Sequence, residues 1–419
     1  MPAQDAPAGA RLATLDLVRG VAVLGIVAVN MAGFAGPIAT TDTPALAVPP
    51  QAGPAGMVDE ALFALTMLLV EGKMRALFSM LFGASMLLFV ERAELRGRSG
   101  EALQMRRLFW LGAFGYAHYV LLWWGDILFL YALCGLLALA LRGLAPRAQV
   151  GLAVALFMGW HGWGMIGSLP QILAEEHVRT GIATAREAAD VQAALAQTLA
   201  QLRADVAQAA LGFWPQAAAK LADAPAWPLV MTLYTIGETL PLMLIGMALY
   251  ASGFFTGHWP ARWHRAVLWA GAAGAVWTGV LLGWAWPRHF PPLAMPDVLS
   301  YWAGPAHLAM ALAYASLLVR AAPCLLGTGP GRRLVAAGRM AFSNYLCTSL
   351  AMCFLFNGWG LGWMGHVGRA GQAGLVLLVW AAMLGWSQPW LARFRQGPLE
   401  WLWRSLTEGR PMPFARPNG

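Results

Sequence analysis

Charge is what this chain has least of. Only 11% of its 419 residues are charged, where soluble domains carry roughly 25%. Hydrophobic residues make up 59%, and the mean hydropathy is +0.57. That shortage excludes a chain with an ordinary water-facing surface, and most of it must lie in lipid. Lysine is nearly missing. The 28 basic side chains are Lys73, Lys220 and 26 arginines, most of them between apolar runs. The net charge of +8 therefore reflects membrane topology and calls for no nucleic acid. Cysteine is scarce too. Cys134, Cys324, Cys347 and Cys353 stand in apolar stretches without a C-x-x-C pair, which argues against a disulfide framework or a zinc site. No metal is expected. Walker A, dinucleotide, H-E-x-x-H and nucleophile-elbow motifs are absent. The first apolar run holds Asp16 and Arg19 and lacks a small-residue cleavage site. It reads as a retained helix, not a signal peptide.

What is present is a series of ten apolar runs near 13–35, 73–91, 107–124, 126–142, 148–168, 227–251, 264–286, 299–320, 334–357 and 372–392. Runs of about 17–25 apolar residues span a bilayer as helices. The expected fold is an all-α polytopic transmembrane helical bundle. Residues 1–408 form one transmembrane domain and 409–419 a cytoplasmic tail. A tight hairpin is expected around Gly125-Asp126. Two segments fall outside the runs. Residues 36–72 are Pro/Gly-rich, then read as a short amphipathic or interfacial helix from Met57 to Val70. Residues 171–225 are an Ala/Gln-rich helical insertion on the extracytoplasmic side. Leu195, Leu199, Leu202 and Val206 give it one apolar stripe. The plainest reading packs that stripe on its own bundle. The membrane surface and a second subunit, making a homo-oligomer, are the alternatives.

Several motifs carry a resemblance. They are Leu15-Asp16-Leu17-Val18-Arg19-Gly20 through Asn30; Glu71-Gly72-Lys73 with Leu77-Phe78-Ser79-Met80-Leu81-Phe82-Gly83; and Arg106-Arg107-Leu108 leading to His118 and Gly125-Asp126-Ile127-Leu128. Further on come Pro241-Leu242-Met243-Leu244-Ile245-Gly246-Met247, then Gly338-Arg339-Met340-Ala341 with Asn344-Tyr345, and finally Gly397-Pro398-Leu399-Glu400-Trp401-Leu402-Trp403-Arg404. Together, from about residue 11 to 408, they resemble the YeiB-like family of bacterial inner-membrane proteins, a family without an assigned activity. The resemblance implies a multi-pass bundle in that membrane. The first helix is also similar to that of transmembrane acyltransferases such as the lysosomal heparan acetyltransferase and bacterial sugar O-acetylases. Many of these have a His eleven residues after the Arg, where this chain has Asn30. The lysosomal enzyme is similar in carrying Asn there, with its catalytic His in the following loop. This chain has no His between Asn30 and His118.

Ionisable groups in a bilayer are costly, so each is a site candidate. His118 is the best general base because imidazole titrates near neutrality. Asp126 lies eight residues on, two helical turns, and is placed to orient it. Asn30 is read either as an oxyanion donor or as interhelical glue. Glu71, Lys73, Arg75 and Glu238 are candidates for substrate binding at the same outer cavity, against the simpler reading of buried ion pairs. Arg19, Arg339 and Asn344 line the expected cytoplasmic mouth, with Arg395 and Arg404 beside them. They are candidates for holding an acyl-CoA donor or anionic membrane lipids. Three functions follow. One is acyl transfer from a cytoplasmic donor to an extracytoplasmic sugar or lipid hydroxyl. Another is transport or flipping of a small or lipid-linked solute. The last is a non-catalytic membrane scaffold.

Orientation is directly testable. A cytoplasmic N-terminus puts twenty basic residues on the cytoplasmic side and six on the other, the asymmetry of the positive-inside rule. Both termini are then cytoplasmic. Reporter fusions at residues 100 and 415 are expected to report inside, and a fusion at 200 outside. An inside signal at 200 would reverse every assignment of side.

Overall fold

The computed structural model describes residues 8–47 and 53–416. The ends of the expected 1–408 domain and 409–419 tail, and part of the 36–72 segment, lie outside the described residues. The chain begins with α1 (Ala8–Ala35), the short turn α2 (Ala39–Asp42), α3 (Gly53–Leu69), α4 (Lys73–Glu94), α5 (Gly100–Leu121), α6 (Leu128–Ala140) and α7 (Pro146–Thr180). It continues through α8 (Ala185–Ala209), α9 (Phe213–Asp223), α10 (Trp227–Ala251), α11 (Ala261–Ala285), the single turn α12 (Met295–Asp297) and α13 (Gly304–Leu325). It ends with α14 (Gly329–Arg339), α15 (Ala341–Phe356), α16 (Arg369–Arg393) and α17 (Pro398–Glu408). Among the described residues there is no strand, only one bridge between Phe394 and Ala415. The protein is an all-α bundle.

Seven segments among the described residues, where ten spans were expected, are long and apolar enough to cross a membrane. The other three expected spans are α5, α6 and α15. The last two are shorter apolar helices, and α5 carries Arg106 and Arg107. Three boundaries also differ. The expected interfacial helix from Met57 to Val70 is instead α3, the first part of one apolar segment, Gly53–Glu94. That segment is interrupted just before Lys73. Gly72 has φ +71°, which ends the helical path, and the His307 ring occupies the space where a Cβ would stand. The Lys73 ammonium donates to the Met67 carbonyl at 2.5 Å, a cation on the C-terminal end of α3. Residues 171–180 belong to α7 and not to the insertion, because the helix continues to Thr180 and stops at Gly181 with φ +77°. The expected 334–357 span is two helices, α14 and α15, parted at Met340.

The core is centred on α4. It packs against α1, α5, α10 and α13, and α10 in turn packs against α6 and α7. The most extensive seam is α4 with α10. A Cβ at Gly83 would overlap the Met243 backbone, and one at Gly246 would overlap the Met80 backbone. Each glycine admits the other helix, as small residues do where dispersion drives membrane packing. Met80, Ala84, Leu242, Met243 and Met247 fill the seam and are almost fully buried. The α8–α9 insertion packs on its own bundle. Leu195, Leu199, Leu202 and Val206 are half-buried. Asp205 accepts from the Ile38 backbone at 3.3 Å, and Gly358 donates its backbone N–H to Ala209 at 2.8 Å. The Gly246→Val variant forces the seam apart. It is expected to lower stability by about 1–3 kcal/mol, read as a lower detergent-solubilised melting temperature. Gly283→Val, where a Cβ meets nothing, serves as the neutral comparison.

Candidate active site

The hairpin between α5 and α6 brings His118 to Asp126. His118 Nδ1 lies 2.9 Å from Asp126 Oδ1, and both side chains are 1% exposed. The other Asp126 oxygen accepts from the Phe129 backbone N–H at 2.8 Å. The carboxylate thus caps the start of α6 and holds the imidazole at once. With its Nδ1–H directed at Asp126, His118 presents its Nε2 lone pair. That nitrogen is buried and has no hydrogen-bond partner among the described residues. The Tyr345 ring stands 5.2 Å from the imidazole.

Tyr345 is also a wall of a cavity of ≈ 240 Å³. Tyr131 and Ile127 line it at the dyad's end. Arg19, Arg107 and Arg339 line it towards the arginine-rich face. Arg107 and His118 are eleven residues apart on α5, about 16 Å along the axis. Arg19 is held by Asp16 at 2.5 Å and donates to Ser85 at 2.7 Å. Arg339 is exposed and donates to the Arg395 carbonyl at 3.2 Å. Arg107 has no carboxylate partner among the described residues. Its guanidinium lies 4.7 Å from the Phe89 ring centre and 4.2 Å from that of Trp403. Helix α17 closes this end. Glu400 accepts from the Phe342 and Ser343 backbone N–H groups at 2.9 and 3.0 Å and from the Ser343 hydroxyl. Burial raises its carboxyl above the usual range. With Asp16 and Glu400 already engaged, the arginines leave a net positive site for an anion.

The expected single outer cavity divides in two. His118 and Asp126 meet, but Lys73, Arg75 and Glu238 do not join them. Arg75 pairs with Glu238 at 3.0 Å across the α4–α10 seam, and Lys73 is fully buried. His161 and His307 belong to this second group. The Nε2 atoms of both are buried without a partner among the described residues. The two groups touch through Ser79, whose hydroxyl is 2.8 Å from the Tyr131 hydroxyl. Asn30 is half-buried and lines neither large cavity, and its side chain makes no hydrogen bond among the described residues. Asn344 is engaged elsewhere. Its amide donates to the Ala337 carbonyl and Ser387 hydroxyl at 3.1 and 3.2 Å, and its oxygen accepts from Trp386 at 2.8 Å. It ties helices together and does not line the arginine-lined cavity. Glu71 sits at the helix interruption and lines a different cavity. Near it is Asp42, whose carboxyl is pushed up to about 7 by burial and then by Glu71.

Sequence reasoning counted Arg107 and Lys220 for topology, quoted Arg107 in a motif, gave neither a site role, and passed over Tyr131. Glu400 and Trp403 stood in a distinctive motif without a role. Lys220, on α9, donates to the Tyr119 and Leu122 carbonyls at 3.0 Å each. It caps the end of α5 that bears His118. Burial pushes its ammonium down from 10.5 to about 8. The unfolded chain therefore binds more protons between those values, and stability is expected to rise with pH across that window. Thermal melts between pH 8 and 10.5 should show this rise in the native protein and not in Lys220→Met. An identical pH slope in both would exclude Lys220 as its source.

Residues 249–410 match a family described as "Protein of unknown function (DUF418)". The chain is 31% identical over 407 residues to the "Uncharacterized protein YeiB" of Escherichia coli (strain K12), covering 95% of this chain and 96% of that one. It is 29% identical over 415 residues to the "Uncharacterized protein YxaH" of Bacillus subtilis (strain 168), covering 97% and 96%. No solved structure matches it.

Proposed function

We propose an acyl-transfer reaction for this chain, which belongs to the YeiB-like DUF418 family of membrane proteins. The donor is a phosphate-bearing thioester such as acyl-CoA, entering from the arginine-rich, cytoplasmic face. The acceptor is a sugar or lipid hydroxyl on the opposite side. The observation that carries this reading is one cavity with arginines at one end, walled at the other by Ile127 and Tyr345, with the buried His–Asp pair behind that wall. Arg19, Arg107 and Arg339 suit phosphate, since guanidinium donors are rigid, planar and always charged. His118 Nε2 would take the hydroxyl proton as the oxygen attacks the acyl carbonyl. The resulting tetrahedral intermediate then collapses, re-forming the carbonyl as the carbon–sulfur bond breaks, and the leaving thiolate takes the proton from the imidazolium. Asp126 keeps Nε2 as the accepting nitrogen and stabilises the imidazolium. A second observation favours transport. The interruption between α3 and α4 carries Glu71, Lys73 and Arg75, and discontinuous helices of this kind form solute sites in transporters.

The test uses purified full-length protein, acyl-CoA and a hydroxyl acceptor. His118→Ala is expected to reduce transfer and slow acyl-CoA hydrolysis by about 10²–10⁴-fold, with donor affinity and melting temperature retained. Arg107→Gln should instead weaken donor affinity by about 10–100-fold, the loss of a charged hydrogen bond, and flatten its salt dependence. Native protein that binds no acyl-CoA would remove the transfer reading and leave transport. Loss of stability in parallel with activity in His118→Ala would make the dyad a structural pair only.

A further inference from the structure

Asn30, the oxyanion donor expected from the sequence, lines neither large cavity. An acyl carbonyl at the dyad's end of the arginine-lined cavity needs another donor. The polar side chains lining that end are Tyr131 and Tyr345. Tyr131 is already committed. The Ser79 hydroxyl donates its one proton to the Arg75 carbonyl at 2.9 Å. In the 2.8 Å contact between the two hydroxyls it is therefore Tyr131 that donates. Tyr345 is not committed. Its hydroxyl oxygen is buried and has no hydrogen-bond partner among the described residues. The Ile127 backbone N–H approaches that oxygen without closing a hydrogen bond. What Tyr345 still has to give is its proton.

A buried hydroxyl without a partner costs about 1–3 kcal/mol. Such groups are rare in folded proteins, and a catalytic role is one of the few reasons they persist. A second one stands beside it, His118 Nε2. The two rings lie 5.2 Å apart between centres, tilted by 47°. Their free atoms are complementary. Nε2 offers a lone pair, because Nδ1 is engaged by Asp126, and the phenol offers a proton. One reacting centre satisfies both, with an attacking hydroxyl on Nε2 and the attacked carbonyl on the phenol. Tyr345 walls the donor cavity and packs on the imidazole, so it stands where the donor's carbonyl and the acceptor's hydroxyl have to meet. We propose that the Tyr345 hydroxyl is the oxyanion donor of the transfer. As the acceptor oxygen bonds to the thioester carbon, the carbonyl electron pair moves onto its oxygen. Tyr345 holds that charge by a hydrogen bond and keeps its own proton. The pair returns when the carbon–sulfur bond breaks. This role rests on the transfer reading.

The experiment uses the full-length protein with acetyl-CoA, water serving as the acceptor. Tyr345→Phe keeps the ring that walls the cavity and removes only the oxygen. It is expected to lower kcat by about 10²–10³-fold with KM unchanged. Its melting temperature should hold or rise, since an unpartnered buried hydroxyl stabilises nothing. Tyr234→Phe, at a position 64% exposed on α10, should leave the rate unchanged. Binding gives a second readout. A trifluoromethyl ketone analogue of acetyl-CoA forms a tetrahedral hydrate like the intermediate. Tyr345→Phe should weaken its binding by about 10²-fold and leave the affinity for CoA as it was. A native kcat in Tyr345→Phe would overturn the role and leave His118 as the base. Equal loss of affinity for the ketone and for CoA would make Tyr345 a donor contact only. A lower melting temperature in parallel with lower activity would make it a structural wall. Native protein that neither binds nor hydrolyses acetyl-CoA would overturn the transfer reading and this role with it.

Discussion

The ion pair that crosses the core depends on how closely α4 approaches α10. Gly83 and Gly246 let the two backbones meet, and that meeting sets Arg75 against Glu238 at 3.0 Å. In hydrocarbon neither charge could be left alone, since a lone buried ion costs several kcal/mol or more. Ser79, one turn after Arg75 on α4, lies 2.8 Å from Tyr131 on α6. Through that contact the helix that carries Arg75 touches the wall of the arginine-lined cavity. A wider seam would part the ion pair.

The second constraint is that helix ends in lipid must be satisfied from within the protein. The chain meets it with its few charged side chains. Lys73 closes α3, Lys220 closes α5, Asp126 opens α6 and Glu400 opens α15. Two of these capping residues lie at the candidate site. Asp126 serves the helix with one oxygen and His118 with the other. Glu400 serves α15 and walls the cavity. Arg107 is the contrast, a cation lining the cavity between two aromatic rings with no carboxylate beside it.

Composition and spacing by themselves determined much of this protein. So few charges and so many apolar runs leave only an all-α membrane bundle. Spacing pairs His118 and Asp126 as two helical turns apart on one face, but α5 ends at Leu121 and they meet across the turn that follows, a contact that is still local. The boundaries that were misplaced turn on single backbone conformations, at Gly72 and at Met340. Hydropathy averages over such points.

Only the tertiary structure decided which distant helices share a seam. Glu71, Lys73 and Arg75 lie within five residues, yet they face a cavity rim, a helix end and α10. One residue of helix turns a side chain by about 100°, so closeness in sequence does not put neighbours in one site. Asn30 and Asn344 read as site residues from motif alone. The fold leaves the first without a hydrogen bond among the described residues and spends the second on α14 and α16. Arg107 and Trp403 are 296 residues apart, and no local pattern could have joined them. The physical reason is that a span's periodicity says which face is apolar, whereas dispersion and close packing between particular helices choose what that face meets.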